Sequence, residues 1–123
     1  MNVTPFGALS TFDTEHLDAA EAYIAENSFE RPTLVIDRAR VAAQYDALNQ
    51  GLGDAAIHYA VKANPEPAII RLLVEKGSHF DAASRVEIQL CLDQGARPEN
   101  ISFGNTIKKP SDIAFAHRVG ITL

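Results

Sequence analysis

The chain has 123 residues, of which 46% are hydrophobic and 22% are charged, and its formal net charge at pH 7 is -5. This composition is typical of a folded globular protein rather than of a disordered chain. Acidic residues outnumber basic ones and no basic stripe occurs. The sequence therefore predicts no nucleic-acid partner and favours a small-molecule ligand.

Cysteine content and hydropathy indicate the compartment. A single cysteine, Cys91, excludes a disulfide within the chain and is typical of proteins in a reducing environment. No apolar run is long enough to span a bilayer, and the amino terminus lacks the features of a signal peptide. We therefore expect a cytoplasmic protein that has no membrane partner.

The first part of the chain predicts two helices with a strand between them. Apolar residues recur at helical spacing over about residues 14–27. Residues 33–36 have the composition of a strand. Asp37 can cap a second helix, which is expected to end at Gly51.

From residue 57 onward, predicted strands and helices alternate regularly. The strands are expected near residues 57–62, 79–82, 101–103 and 121–123, and helices near 64–76, 84–94 and 111–119. Such strand–helix units form a parallel sheet with right-handed crossovers. If the strands lie side by side in chain order, all helices cover one face, and the other face is bare unless the sheet closes into a barrel.

A lysine, Lys62, lies where the first of these strands is expected to stop. Ligands of parallel α/β folds bind at the carboxyl ends of the strands, so Lys62 is a candidate site residue. The alternative is structural, because lysines commonly mark the solvated end of a strand. Position alone does not decide between the two.

Three blocks of sequence resemble those of a known enzyme family. They are Tyr59-Ala60-Val61-Lys62-Ala63-Asn64, Phe80-Asp81-Ala82-Ala83-Ser84-Arg85-Val86-Glu87 and Ile101-Ser102-Phe103-Gly104-Asn105-Thr106-Ile107-Lys108-Lys109. They resemble the blocks of the barrel-fold pyridoxal-phosphate decarboxylases, the family of ornithine, diaminopimelate and related basic amino-acid decarboxylases. The small residues that follow Asp81 favour the ornithine branch.

The resemblance implies a fold and a domain organisation. Residues 38–123 would form the first half of a TIM-type (β/α)8 barrel, and residues 1–37 would belong with a carboxyl-terminal β domain. A complete barrel takes about 250 residues. We therefore expect this chain to be the amino-terminal part of a longer enzyme, with the phosphate-binding loop beyond Leu123. Alone it would bind the cofactor poorly and be inactive.

The resemblance also implies roles for four residues. Lys62 would form the Schiff base with pyridoxal 5'-phosphate, and Ala60 would pack against the cofactor ring. The counterpart of Asp81 lies close to the cofactor lysine, and that of Glu87 lies at the cofactor.

Some of these residues also have structural interpretations. Asp81 could cap the following helix or bind a neighbouring loop. Ser84-x-x-Glu87 is a capping box, which explains both residues without any cofactor. Asn64 is expected to cap a helix, and Asn105 and Lys108 are expected to orient a loop. No spacing of histidine, cysteine or carboxylate residues predicts a metal site.

The predicted function is decarboxylation of a basic amino acid, foremost L-ornithine to putrescine and carbon dioxide, by a homodimer with shared active sites. Decarboxylation of diaminopimelate or lysine is the alternative within the family. A non-catalytic relative with a regulatory role is the alternative outside catalysis. A doubly wound α/β binding domain would need a glycine-rich loop after the first strand, which the sequence lacks.

Overall fold

A computed structural model describes residues 15–123, with side chains from residue 19 onward. These residues divide into two compact units, one that ends at Arg40 and one that spans Val41–Leu123. Helices α1 (Glu15–Glu26) and α2 (Arg38–Leu52) follow each other in the chain. The first predicted helix is thereby confirmed over Glu15–Glu26, while residues 1–14 lie outside the described residues.

The start of α2 follows the prediction, but its end does not. The carboxylate Oδ1 of Asp37 accepts hydrogen bonds from the backbone N–H groups of Ala39 at 2.8 Å and Arg40 at 3.3 Å. The helix continues through Gly51 to Leu52, and the left-handed turn comes at Gly53, with a φ of 60°. The prediction that Gly51 ends the helix was wrong because a glycine can also occupy the last helical turn.

The strand predicted at residues 33–36 is absent. These residues have no regular secondary structure in the described chain, and Leu34 is 79% exposed. A strand is stabilised by ladder hydrogen bonds to a neighbouring strand and by packing of one face. Residues 33–36 pair with no strand within residues 15–123, so strand-like composition alone did not produce a strand.

The second unit contains a parallel sheet in chain order. Its strands are β1 (His58–Ala60), β2 (His79–Ala82) and β3 (Ile101–Phe103), hydrogen-bonded in the order β1-β2-β3. Both pairings are parallel. A parallel bridge between Ser102 and Thr122 adds the last predicted strand as a single pair. The predicted α/β fold with a parallel sheet is confirmed.

One face of this sheet is buried and the other is not. In β2 and β3 the fully buried side chains alternate with half-buried ones, and the buried set comprises Phe80, Ala82, Ile101 and Phe103. Helices α3 (Pro67–Glu75), α4 (Arg85–Asp93) and α5 (Pro110–Arg118) contribute buried side chains to the same core, namely Ile69, Ile70, Leu73, Ile88, Cys91, Phe115 and Ala116. The opposite face carries Asp81 and Ser102, which are half-buried.

Helix boundaries differ from the sequence prediction where polar side chains bind the backbone locally. Asn64 does not cap α3, because its Oδ1 accepts from the N–H of Glu66 at 3.1 Å in a separate turn. Glu66 is the N-cap, and Pro67 occupies the first helical turn. In α5, Ile113 is 39% exposed, and the buried positions are those of Phe115 and Ala116.

None of the helices within residues 15–123 has both the length and the apolar character required to cross a membrane.

Substitutions in the buried core and on the surface should differ in their effect on stability. Ile70 is fully buried and Val86, on the surface of α4, is 78% exposed. We expect Ile70→Val to lower the free energy of unfolding by about 1 kcal/mol, because it removes one buried methylene group. Val86→Ala should change it by less than about 0.5 kcal/mol. Chemical denaturation of both variants measures this, and equal effects would contradict the assigned core.

Cys91 predicts a loss of stability at alkaline pH. Burial, and then the nearby Glu87 carboxylate, raises the pKa of the Cys91 thiol from 9.0 to about 12. Above pH 9 the unfolded chain releases this proton while the folded chain keeps it. The thiol's contribution is therefore complete below pH 9 and is lost as the pH rises toward 12, with a slope of at most about 1.4 kcal/mol per pH unit.

The measurement is the unfolding free energy of the unsubstituted chain and of Cys91→Ala between pH 8 and pH 11. Other groups titrate in both proteins, so the difference between the two curves isolates the thiol. We expect that difference to change steadily above pH 9. A constant difference would show that the thiol ionises alike in both states.

Candidate functional site

The sheet register places three predicted or neighbouring site residues in one row. Ala60 of β1 is paired with Asp81 of β2, and Asp81 is paired with Ser102 of β3. Side chains that are in register across parallel strands point to the same face of the sheet. The row lies on the face opposite the buried core and near the carboxyl ends of the strands. The register therefore brings together Ala60 and Asp81, both predicted as site residues.

Lys62 lies in a short turn just beyond this row. The strand stops at Ala60, two residues earlier than predicted, and residues Val61–Ala63 form one turn of 3-10 helix. The buried Val61 anchors this turn in the core. The correction to the predicted strand end has a local cause, because the chain turns before Pro65 and before the start of α3 at Pro67.

Tyr59 fixes the far end of the turn that carries Lys62. Its hydroxyl donates a hydrogen bond of 3.2 Å to the carbonyl oxygen of Asn64. Burial raises the pKa of the Tyr59 phenol, which keeps the hydroxyl protonated as a donor. The Lys62 turn is thus held by Val61 on one side and by Tyr59 on the other.

The side chain of Lys62 is exposed, and its amine has no hydrogen bond or ion pair within the described part of the chain. The sheet face beside it is uncovered by any described element, so the side chain is open to solvent. A lysine amine forms a Schiff base with a carbonyl compound once its nitrogen has lost a proton, and no ion pair of Lys62 in the described chain competes with such a compound.

The carboxylate of Asp81 is placed by β3. Its Oδ1 lies 3.4 Å from the Ser102 hydroxyl, which can donate to it. It also lies directly over Gly104: a Cβ added there would be 2.1 Å from Oδ1 of Asp81. Only glycine leaves this space open, so Asp81 and Gly104 are matched in shape. Neither predicted structural alternative for Asp81 is observed: its hydrogen-bond partner Ser102 lies in strand β3 rather than in a loop, and Asp81 does not cap the following helix.

Glu87 serves the start of α4. Ser84 is the N-cap, and its Oγ accepts from the N–H of Glu87 at 3.2 Å. The Glu87 carboxylate Oε2 accepts from the N–H of Ala83 at 2.7 Å. The predicted capping box is present, with the return bond made to the residue before the cap. A second carboxylate oxygen of Glu87 has no hydrogen bond in the described chain and is available to a ligand.

The loop after β3 binds the loop after β2. Asn105 Nδ2 donates a hydrogen bond of 3.1 Å to the carbonyl oxygen of Ala83. Lys108 donates to the carbonyl oxygen of Asn105, and its ammonium lies 5.1 Å from the ring centroid of Phe103. The prediction that Asn105 and Lys108 orient a loop is confirmed, and the structure identifies the loop.

Sequence reasoning missed three residues of this site: Tyr59, Ser102 and Gly104. All three stand in the blocks that resemble the family, Tyr59 in the first and Ser102 and Gly104 in the third. Their contacts were not predictable from these blocks, because those of Ser102 and Gly104 cross between strands and depend on the sheet register. The four predicted residues Ala60, Lys62, Asp81 and Glu87 all lie on β1, β2 or the segments that directly follow them.

The arrangement can hold a compound that has an aldehyde and a ring. Lys62 offers a free amine, Ala60 offers a small side chain in the row, and Asp81 offers a carboxylate in the same row. Charged groups placed near an amine of this kind govern its protonation state and orientation. The residues present therefore fit a pyridoxal cofactor.

Comparison with known proteins agrees with this chemistry. The family described as "Pyridoxal-dependent decarboxylase, pyridoxal binding domain" matches residues 38–123. A chloroplastic ornithine decarboxylase of Nicotiana glutinosa is 42% identical over 94 residues, which are 76% of this chain and 22% of that protein. Antizyme inhibitor 2 of Xenopus laevis is 40% identical over 65 residues, 53% of this chain and 14% of that protein.

A solved structure shares the fold. The lysine/ornithine decarboxylase of Vibrio vulnificus, in complex with putrescine, matches 90% of this chain and 30% of its own with a TM-score of 0.77 and 30% identity. Such decarboxylases are TIM barrels, and the match covers their amino-terminal portion. The chain spans about a fifth of the length of the Nicotiana enzyme. On this fold, this site and these matches, the chain belongs to the pyridoxal-dependent decarboxylase family and contains residues of its pyridoxal-binding domain.

Proposed function

We propose that these residues are the cofactor-lysine part of a decarboxylase that acts on a basic amino acid, foremost L-ornithine, which yields putrescine and carbon dioxide. The observation that carries the proposal is the row Ala60–Asp81–Ser102 beside a lysine that has no partner in the described chain. Membership of the family supplies the reaction class. The matched relatives named for ornithine favour that substrate.

Each of the predicted residues has a proposed role. Lys62 binds the cofactor covalently through its amine, and Ala60 leaves room for a flat ring against the sheet. Asp81 faces the same space and balances positive charge there, while the second oxygen of Glu87 accepts a hydrogen bond from the ligand. When bound, pyridoxal phosphate supplies the electron sink that lets the carboxyl group leave as carbon dioxide. The residues of this chain hold and orient the cofactor.

The organisation of the whole protein is also a proposal. We propose that residues 38–123 are part of a barrel, that residues 1–37 associate with a β domain, and that the enzyme is a homodimer with shared sites in the cytoplasm. Residues 33–36 support the proposed association with a β domain, because their apolar side chains have no strand to pack with in the described chain. Lysine or diaminopimelate is the alternative substrate.

A non-catalytic role is the second candidate, and one observation favours it: a matched relative is named as an antizyme inhibitor. A binding protein of that kind has no need of a reactive lysine beside an ordered carboxylate. The retained Lys62 and the Gly104 space for Asp81 therefore support the enzyme. The reactivity of Lys62 discriminates between the two.

Lys62 should react selectively with the cofactor. We expect pyridoxal phosphate, followed by borohydride reduction and peptide mapping, to label Lys62 more than any other lysine of the chain. The physical reason is that Lys62 has no competing partner and has an adjacent carboxylate and ring space. Lys62→Ala should remove the preferred label and leave only the weak labelling of other lysines.

Lys109→Ala is the matched control. Lys109 is also exposed and also precedes a helix, where its side chain makes no capping bond. This variant should keep the full label at Lys62. Uniform labelling of all lysines, unchanged by Lys62→Ala, would contradict the selective reactivity that we propose for Lys62.

A further inference from the structure

The turn between β2 and α4 is hydrogen-bonded to the loop that follows β3. Gly104 N–H donates to the carbonyl oxygen of Ala82 at 3.0 Å, and Asn105 Nδ2 donates to that of Ala83 at 3.1 Å. The N–H of Ala83 donates a hydrogen bond of 2.7 Å to the carboxylate of Glu87 in α4. Both backbone polar groups of Ala83 are therefore held by side chains, one from helix α4 and one from the loop after β3.

An asparagine suits position 105 because the side chain there must donate one hydrogen bond and accept another. Its Nδ2 donates to Ala83, while its Oδ1 lies 3.4 Å from the N–H of Ile107 and accepts from it. A carboxylate of the same length would keep the acceptor and lose the donor. An alanine would lose both. These two substitutions therefore separate the bond across the loops from the turn inside the loop.

We propose that Asn105 is a positioning residue for the pyridoxal site: through the Ala83 carbonyl it fixes the turn that carries Asp81 on one side and Glu87 on the other. Ala83 is the shared residue, since Glu87 binds its N–H, Asn105 binds its carbonyl oxygen, and Asp81 lies two residues earlier near the end of β2. Asn105 itself touches neither carboxylate. This inference rests on the proposed function in one respect, the use of Asp81 and Glu87 by the cofactor.

The first test needs no cofactor. Amide hydrogen exchange of Ala83 is measured by NMR and divided by that of Ser78, whose N–H is bound to the carbonyl oxygen of Leu73 at the end of α3. In Asn105→Ala and in Asn105→Asp the ratio should rise about fivefold, because the turn opens more readily once it has lost the hydrogen bond that held the Ala83 carbonyl. Division by Ser78 removes any change in global stability.

Thr106→Ala is the control for the first test. Thr106 is the exposed neighbour of Asn105 and makes no side-chain hydrogen bond within residues 15–123. In Thr106→Ala the ratio of Ala83 exchange to Ser78 exchange should equal that of the unsubstituted chain. An unchanged ratio in both Asn105 variants would overturn the inference.

The second test distinguishes a residue that positions the cofactor site from one that only stabilises the turn. After treatment with pyridoxal phosphate and borohydride, the share of label on Lys62 relative to all lysines should fall about fivefold in both Asn105 variants and stay constant in Thr106→Ala. Partial unfolding would alter all lysines together, so the share reports geometry. Faster exchange with an unchanged Lys62 share would overturn the positioning role. If the unsubstituted chain shows no preference for Lys62, the proposed function fails, and exchange alone decides whether Asn105 holds the turn.

Discussion

The register of three parallel strands is the constraint on which the site depends. Parallel pairing sets Ala60 opposite Asp81 and Asp81 opposite Ser102. A slip of one residue would move each of these side chains to the buried face and would bring Phe80 out of the core. Burial of Phe80, Ala82, Ile101 and Phe103 opposes that slip. The apolar core thus specifies the position of polar residues that it never contacts.

Most of the architecture was predictable because its signals are local. Periodicity, helix caps and strand composition indicated the alternation of β1 to α5, and Asp37 and Ser84 cap helices as predicted. The errors arose where an interaction that the pattern does not specify was made or was missing. Asn64 binds Glu66 instead of capping α3, and residues 33–36 lack a partner strand.

The candidate site was predictable only in part. Lys62, Ala60, Asp81 and Glu87 stand in sequence blocks that resemble a family, so the sequence could name them, and their cofactor roles stay proposals. The contacts of Ser102, Gly104 and Asn105 with the preceding turn join residues about 20 positions apart. Such contacts follow from the sheet register, which single-sequence patterns do not specify. Glu87 shows a further difficulty, because a capping role and a ligand role can coexist on one carboxylate.

The chain order of the strands also affects how this part of the protein can fold. Each strand residue pairs with a partner 21 positions away in both ladders, which is a short separation for a parallel sheet. Closing such loops costs little entropy compared with pairing distant segments. Each strand can therefore dock on the preceding one soon after it leaves the ribosome. Assembly can proceed in the direction of synthesis, with the turn that carries Lys62 in place before β3 braces its neighbour.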